Sequence, residues 1–145
     1  WEYFNFVNKF VYENKALYNY VVYSSSLSKR YLELKDFYTV SNVFYKAENP
    51  DMEKITKDSL RYAIFRHFLS LLKKHFADRN NTLPFRLFKN ELKEVLSSKE
   101  LSYAKKHLAK EKFLSKKEKR VLLLSAFPYL MAAALYALNR LKKRP

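Results

Sequence analysis

The chain contains no glycine in its 145 residues. Tight β-hairpins need residues that accept a positive φ angle, and glycine is the usual supplier of that conformation. A chain without glycine is therefore a poor candidate for an all-β fold, and it has no glycine-rich phosphate-binding loop. The composition favours helices joined by loops that are built from asparagine, serine and proline.

Length and composition fit a single folded domain. A chain of 145 residues suffices for one ordinary core but is short for two comfortable domains. Hydrophobic residues make up 48% of the sequence and aromatic residues 17%, far more than in a disordered chain. Cysteine is absent, which excludes a disulfide framework and a thiolate metal site and fits a reducing compartment.

Positive charge is concentrated near the C-terminus. The formal net charge is +15, and residues 99–145 carry 13 basic and three acidic side chains. Residues 1–48, in contrast, have a net charge of only +1. We therefore expect an anionic partner near the C-terminal end: phospholipid headgroups, nucleic acid or a phosphorylated substrate.

Apolar residues recur at helical spacing through most of the chain. Serine followed three residues later by glutamate predicts capping boxes at residues 97–100 and 115–118, and the second opens a helix running to about residue 143. The pattern predicts a mainly α fold, a bundle of about five or six helices. Residues 16–23, "ALYNYVVY", allow one short strand near the N-terminus. The long helix predicted to end at Phe76 has an apolar stripe that consists of Leu60, Ile64, Phe68, Leu71 and Leu72.

Four short motifs near the N-terminus occur in an order that one enzyme family shares. They are Trp1, the pair Phe4-Asn5 (or Asn5-Phe6), Leu17-Tyr18-Asn19-Tyr20 and Ser26-Leu27-Ser28. This order resembles the segment of bacterial family 2 glycosyltransferases that follows their catalytic Glu-Asp pair. The apolar and basic C-terminal segment is also similar to the last helix of such enzymes. The resemblance is close over residues 1–31 and loose over the helical remainder.

The resemblance implies that the chain is the C-terminal region of such an enzyme, of the GT-A type. Residues 1–28 would end the catalytic domain, and residues 29–145 would form a C-terminal helical domain. The nucleotide-sugar site, its Asp-x-Asp motif and a divalent metal, Mg or Mn, would belong to the parent enzyme upstream of Trp1. This chain alone would then hold no cofactor, metal site or catalytic residue and would be inactive, while Trp1 would border the acceptor pocket as a substrate-binding residue.

Two patterns that could suggest a metal site have simpler explanations. Asp51-Met52-Glu53 places two carboxylates one residue apart, but it follows Asn49-Pro50 at a predicted helix start, where acidic residues oppose the positive helix end. His67 and His75 are eight residues apart, whereas metal-binding pairs on helices commonly use a spacing of i and i+4. We predict structural or surface roles for both histidines and for His107.

The strongest interaction signal is an uncharged C-terminal segment between basic flanks. Residues 121–138 are 18 consecutive uncharged residues. As a helix they would span about 27 Å, close to the hydrocarbon thickness of about 30 Å. However, Pro128, five alanines and two basic flanks fit an in-plane or tip-inserted helix better than an oriented span. The predicted membrane or anion contacts are Lys116, Lys117, Lys119, Arg120, Arg140, Lys142, Lys143 and Arg144.

The same segments have alternative explanations. Residues 121–138 could instead be a buried central helix of the bundle, or could pack on one face and meet lipid on the other. The lysines between residues 99 and 112 are interpreted first as a solvated helix face, and second as a lipid or phosphate contact.

Three functions remain open from the sequence. The first is an accessory region of a glycosyltransferase in surface or capsular polysaccharide or glycan assembly, peripheral at the cytoplasmic face of the cell membrane. Its partners would be its own N-terminal catalytic domain, an anionic membrane surface or lipid-linked acceptor, and a second copy of itself. The alternatives are a non-enzymatic membrane-surface adaptor and a basic helical nucleic-acid-binding domain. The last is the weakest, because no RNA-module signature or helix-turn-helix glycine turn occurs and the aromatic residues lie on faces predicted to be buried.

Overall fold

The computed structural model describes residues 32–78 and 80–141, and over these ranges the chain is helical without any strand. The predicted mainly α fold, a bundle of helices, is confirmed. The helices are α1 (Leu34–Ala47), α2 (Lys54–Leu71), α3 (Phe85–Ser97), α4 (Lys99–Leu108), α5 (Lys116–Leu124) and α6 (Pro128–Leu141). One π-helical turn, Leu72–Phe76, extends α2. Residues 1–28, with Trp1 and the predicted strand at 16–23, lie outside the described ranges, as do residues 142–144.

The helices pack around an apolar core in which α2 is central. α2 packs against both α1 and α4, while α3 packs against α6. Fully burying one large apolar side chain contributes about 1.5–3 kcal/mol, and the apolar stripe predicted for α2 is buried over its whole length. Five phenylalanines from four parts of the chain meet in this core: Phe37, Phe65, Phe68, Phe76 and Phe88.

The helices end without the left-handed residue that glycine usually supplies. None of the described residues has a positive φ angle. Many helices end on a left-handed residue whose N–H groups satisfy the last carbonyls. Here the residues that follow α1 and α3, Glu48 and Ser98, have negative φ and ψ above 100°, so the chain leaves these helices directly.

At the end of α2, asparagine side chains take over the role of the missing glycine. The π turn closes with the Ala77 N–H donating to the Leu72 carbonyl at 2.8 Å. Asn81 Nδ2 then donates to the His75 carbonyl at 3.1 Å, and Asn139 Nδ2 of α6 donates to the Phe76 carbonyl at 3.4 Å. Buried carbonyls that would otherwise lack partners are thereby satisfied.

Three local predictions differ from the structure. α2 begins at Lys54 rather than near Asn49, because the Asn49 side chain accepts from the Asp51 N–H at 3.1 Å and forms a separate turn. The capping box predicted at residues 97–100 is absent, since Ser97 is the last residue of α3 and its hydroxyl donates to the Glu94 carbonyl. The long helix predicted after residue 115 is two helices, α5 and α6.

Candidate membrane-contact surface

The first turn of α5 fixes this helix onto α2. The predicted capping box is present: the Ser115 hydroxyl accepts from the Glu118 N–H at 3.3 Å, and the Ser115 N–H donates to Glu118 Oε2 at 2.9 Å. Glu118 also accepts from the Tyr62 hydroxyl at 2.7 Å and lies 3.7 Å from Arg66. These hydrogen bonds, chiefly those from Ser115, lower the pKa of Glu118 below its ordinary value of 4.5. The start of α5 is therefore anchored by an ionised carboxylate.

The basic residues around this anchor are solvent-exposed. Among the described residues, none of the four cations in α5 forms an ion pair, since Glu118 is directed to α2. Arg140 near the end of α6 donates to the Tyr136 hydroxyl at 2.6 Å. The predicted contact residues that the structure places on the surface are Lys116, Lys117, Lys119, Arg120 and Arg140. Lys142, Lys143, Arg144 and Trp1 are not among the described residues.

The uncharged segment is bent between α5 and α6. The Ser125 hydroxyl donates to the Leu122 carbonyl at 2.6 Å, the Phe127 N–H donates to the Leu124 carbonyl at 2.9 Å, and Pro128 begins the next helix. Proline suits the first helical position, because its missing N–H would have no partner there. Within the described ranges no single helix is long and apolar enough to cross a membrane; α5 and α6 together suffice by length and composition, but they are bent by 117°.

Residues 123–130, here called the elbow, comprise the end of α5, the connecting turn and the start of α6, and most of their side chains are exposed. Leu123 is 68% exposed, Phe127 57% and Leu130 55%, and Tyr129 is exposed as well. No charged residue occurs within the elbow. Contiguous exposed apolar side chains of this kind mark contacts with proteins or membranes more often than isolated ones do.

α6 has one packed face and one exposed face. Met131, Ala132 and Asn139 are buried against the bundle, whereas Leu138 and Leu141 are exposed. The interpretation of residues 121–138 as a fully buried central helix is therefore wrong, because α5 buries none of its residues and α6 buries only one side.

The three histidines all contact neighbouring side chains. The His107 ring lies edge-on to the Tyr103 ring with centroids 4.6 Å apart. The His67 ring stacks on Phe37 with centroids 5.8 Å apart, and burial lowers the pKa of His67 below its ordinary value of 6.5. The His75 ring nitrogens lie 3.2 Å from the Leu32 carbonyl and 3.2 Å from Glu91 Oε2. No group of three or more potential metal-ligating side chains occurs within residues 32–78 and 80–141.

Sequence reasoning missed two features that the fold creates. One is the elbow, which the sequence signals through Pro128 preceded by Ser125-Ala126-Phe127, a helix start rather than a helix interior. The other is a polar cluster in which Arg61 of α2 meets Glu48 and Tyr103. Its members are far apart in the sequence, so no local sequence pattern predicts this cluster.

The chain matches no protein-family model, no curated protein and no solved structure.

Proposed function

We propose that this helical bundle attaches its parent protein to an anionic membrane surface through the elbow and the basic residues of α5. The observation that carries the proposal is the exposed, charge-free elbow directly following an unpaired basic helix. Peripheral membrane proteins combine an apolar contact with electrostatic attraction in this way, because either contribution alone is weak.

The expected affinity follows from the exposed side chains. Full burial of a Leu or Phe side chain contributes about 1.5–3 kcal/mol, so the exposed fractions of Leu123, Phe127 and Leu130 give about 1–2 kcal/mol each. Four basic residues in α5 add about 1 kcal/mol each near an anionic leaflet. The sum of about 8 kcal/mol, before the cost of immobilising the protein is subtracted, sets a dissociation constant of about 1 μM or weaker.

We further propose that the parent protein is a family 2 glycosyltransferase of surface polysaccharide or glycan assembly, and that this bundle is its accessory C-terminal domain. The motifs from Trp1 to Ser28 support this assignment. A transferase whose acceptor is membrane-associated would gain from a domain that holds it at the cytoplasmic face of the membrane.

Nucleic-acid binding is the competing explanation of the positive charge. Stacking on bases requires exposed aromatic rings between basic residues. Here the phenylalanines of the core are buried, and two exposed aromatic residues, Phe127 and Tyr129, lie in the uncharged elbow. Phe113 is exposed among lysines, but its ring packs edge-on against Tyr62 rather than standing free. The geometry therefore favours lipid as the partner.

Liposome flotation of the full 145-residue chain tests the membrane contact. We expect flotation with phosphatidylcholine vesicles that contain phosphatidylglycerol, and little with phosphatidylcholine alone. Phe127→Ser combined with Leu130→Ser should lower the partition coefficient at least tenfold, because both side chains lose their apolar contact. The matched control is Leu87→Ser on α3, a leucine that is 50% exposed outside the elbow.

Two results would contradict the proposal. One is flotation that the elbow variants and the Leu87 control reduce equally. The other is binding to duplex or single-stranded DNA that is tighter than binding to anionic vesicles and weakens steeply with salt.

The glycosyltransferase assignment has a separate test. The reading frame upstream of Trp1 should encode an Asp-x-Asp motif and a Glu-Asp pair directly before Trp1. The isolated 145-residue chain should not transfer sugar from a nucleotide sugar. An upstream frame without these motifs, or sugar transfer by the isolated chain, would refute the assignment without affecting the membrane contact.

A further inference from the structure

A cleft of about 420 Å³ lies between α2 and α4, apart from the elbow. Its walls carry more basic than acidic side chains, and these come from both helices. The lining residues from α2, α4 and the turn after α4 are Lys54, Asp58, Arg61, Lys106, His107 and Lys110.

The acidic side chains of the cleft are already engaged. Asp58 lies 3.1 Å from Arg61, and Glu111, which also lines the cleft, lies 3.9 Å from Lys54. Lys106 and Lys110 form no ion pair with any of the described acidic residues. Because Arg61 is shared by Asp58 and Glu48, that cluster keeps one negative charge, so Lys106 and Lys110 together leave the cleft with a net charge of about +1.

Arg61 is held rigidly at the side of this cleft. Its side chain is only 11% exposed, and it donates from Nε to Glu48 at 3.1 Å, from Nη2 to Tyr103 at 2.9 Å and from Nη1 to Asp58 at 3.1 Å. Nη2 also donates to Glu48, so among the described partners one of the five guanidinium N–H groups, on Nη1, has no acceptor. A donor fixed in this manner loses little conformational entropy when an anion binds.

The lysines of α4 do not all share this environment. Lys106 of α4 and Lys110, in the turn directly after α4, both line the cleft. Lys105 instead donates to the Leu96 carbonyl at 3.0 Å, and burial lowers the pKa of Lys105. Lys106 and Lys110 therefore face the cleft near Arg61, whereas Lys105 does not.

We propose that this cleft binds a phosphate group, with Lys106, His107 and Lys110 as its direct contacts and Arg61 at its side. A phosphate carries about 1.5 to 2 negative charges at neutral pH and has three strong acceptor oxygens in a monoester. The donors of α4 and of the turn after it, with Arg61 of α2 beside them, match such a compact anion better than they match a planar carboxylate. The site is separate from the elbow and does not depend on membrane attachment.

The first test is a titration of the full chain with inorganic phosphate, monitored by ¹H–¹⁵N NMR at constant ionic strength with chloride as the balancing anion. We expect saturable chemical-shift changes that are largest at residues 106–110, at the end of α4 and in the turn after it. Lys106→Gln combined with Lys110→Gln should weaken binding at least tenfold. Both side chains are exposed, so the fold should persist, which circular dichroism checks. The matched control is Lys93→Gln, an exposed lysine on α3.

A second arm distinguishes a lipid headgroup from a soluble phosphate. Phosphatidic acid presents a phosphate monoester, whereas phosphatidylglycerol presents a diester. A preference for phosphatidic acid vesicles that inorganic phosphate competes away, and that the double glutamine variant loses, identifies a lipid phosphate. Saturable phosphate binding without this preference identifies a soluble ligand.

The elbow variants separate this proposal from the membrane contact. Phe127→Ser combined with Leu130→Ser should leave phosphate binding unchanged. Shifts that do not saturate, that chloride reproduces, or that are equal in the double glutamine variant and the Lys93 control would overturn the phosphate site.

Discussion

Replacing Arg61 by methionine should destabilise the bundle by about 3–5 kcal/mol, because it leaves two mostly buried carboxylates without their cation. The side chains of Arg61, Glu48 and Asp58 are 11%, 12% and 14% exposed. Burial alone would raise the pKa of Glu48, but hydrogen bonds from Arg61 and Tyr103 outweigh it and lower this pKa below 4.5. Without Arg61, the desolvation of Glu48 is no longer offset.

Urea unfolding, monitored by circular dichroism at 222 nm, measures this change in the free energy of unfolding. Thermal unfolding is a second measurement: for a chain of this size about 1 kcal/mol shifts its midpoint by roughly 2–4 °C, so a decrease of roughly 6–20 °C is expected. Arg86→Met, at an exposed arginine of α3, is the matched control and should change the free energy of unfolding by no more than about 0.5 kcal/mol.

A double-mutant cycle isolates the pair itself. Arg61→Met, Glu48→Met and the double variant together give the coupling free energy, which we expect to be about 1–3 kcal/mol in the stabilising direction. A coupling near zero, with Arg61→Met no more harmful than Arg86→Met, would show that solvent screens the pair and would refute the reasoning from burial.

Two further substitutions test the helix end and the buried imidazole. Asn139→Leu should cost about 1–3 kcal/mol in thermal unfolding, because the buried Phe76 carbonyl loses its donor; an unchanged midpoint would contradict this role. His67→Phe should keep the stacking on Phe37 and remove one source of acid sensitivity. Since burial lowers the pKa of His67, only the unfolded chain takes up this proton just below pH 6.5, so the free energy of unfolding of the native chain should fall as the pH decreases from 6.5. Between pH 5 and 7.5 the urea midpoint should depend less steeply on pH in the His67→Phe variant than in the native chain. Equal slopes would refute this role of His67.

The sequence was sufficient to predict the helices because their signals are local. Apolar spacing identified the buried stripe of α2, and Ser115 with Glu118 identified the start of α5. The absence of glycine correctly favoured helices in the described ranges. These signals act within one or two helical turns, so they can be recognised without knowing the fold.

The sites could not be predicted in the same way, because they depend on packing. Glu48, Arg61 and Tyr103 come together from three helices or their ends, and nothing in their local sequences marks them as partners. Exposure of the elbow likewise depends on which face of α6 the bundle covers. The sequence predicted the basic residues of α5 as contacts, but it placed them beside one continuous helix rather than beside an exposed bend.

The hydrogen bonds from Asn139 to the end of α2 have a consequence for synthesis of the chain. The partner of the Phe76 carbonyl is supplied 63 positions later in the sequence. During synthesis the Phe76 carbonyl therefore has water as its partner until residue 139 has emerged and α6 has docked. This end of α2 can be desolvated without an unsatisfied carbonyl only after that docking.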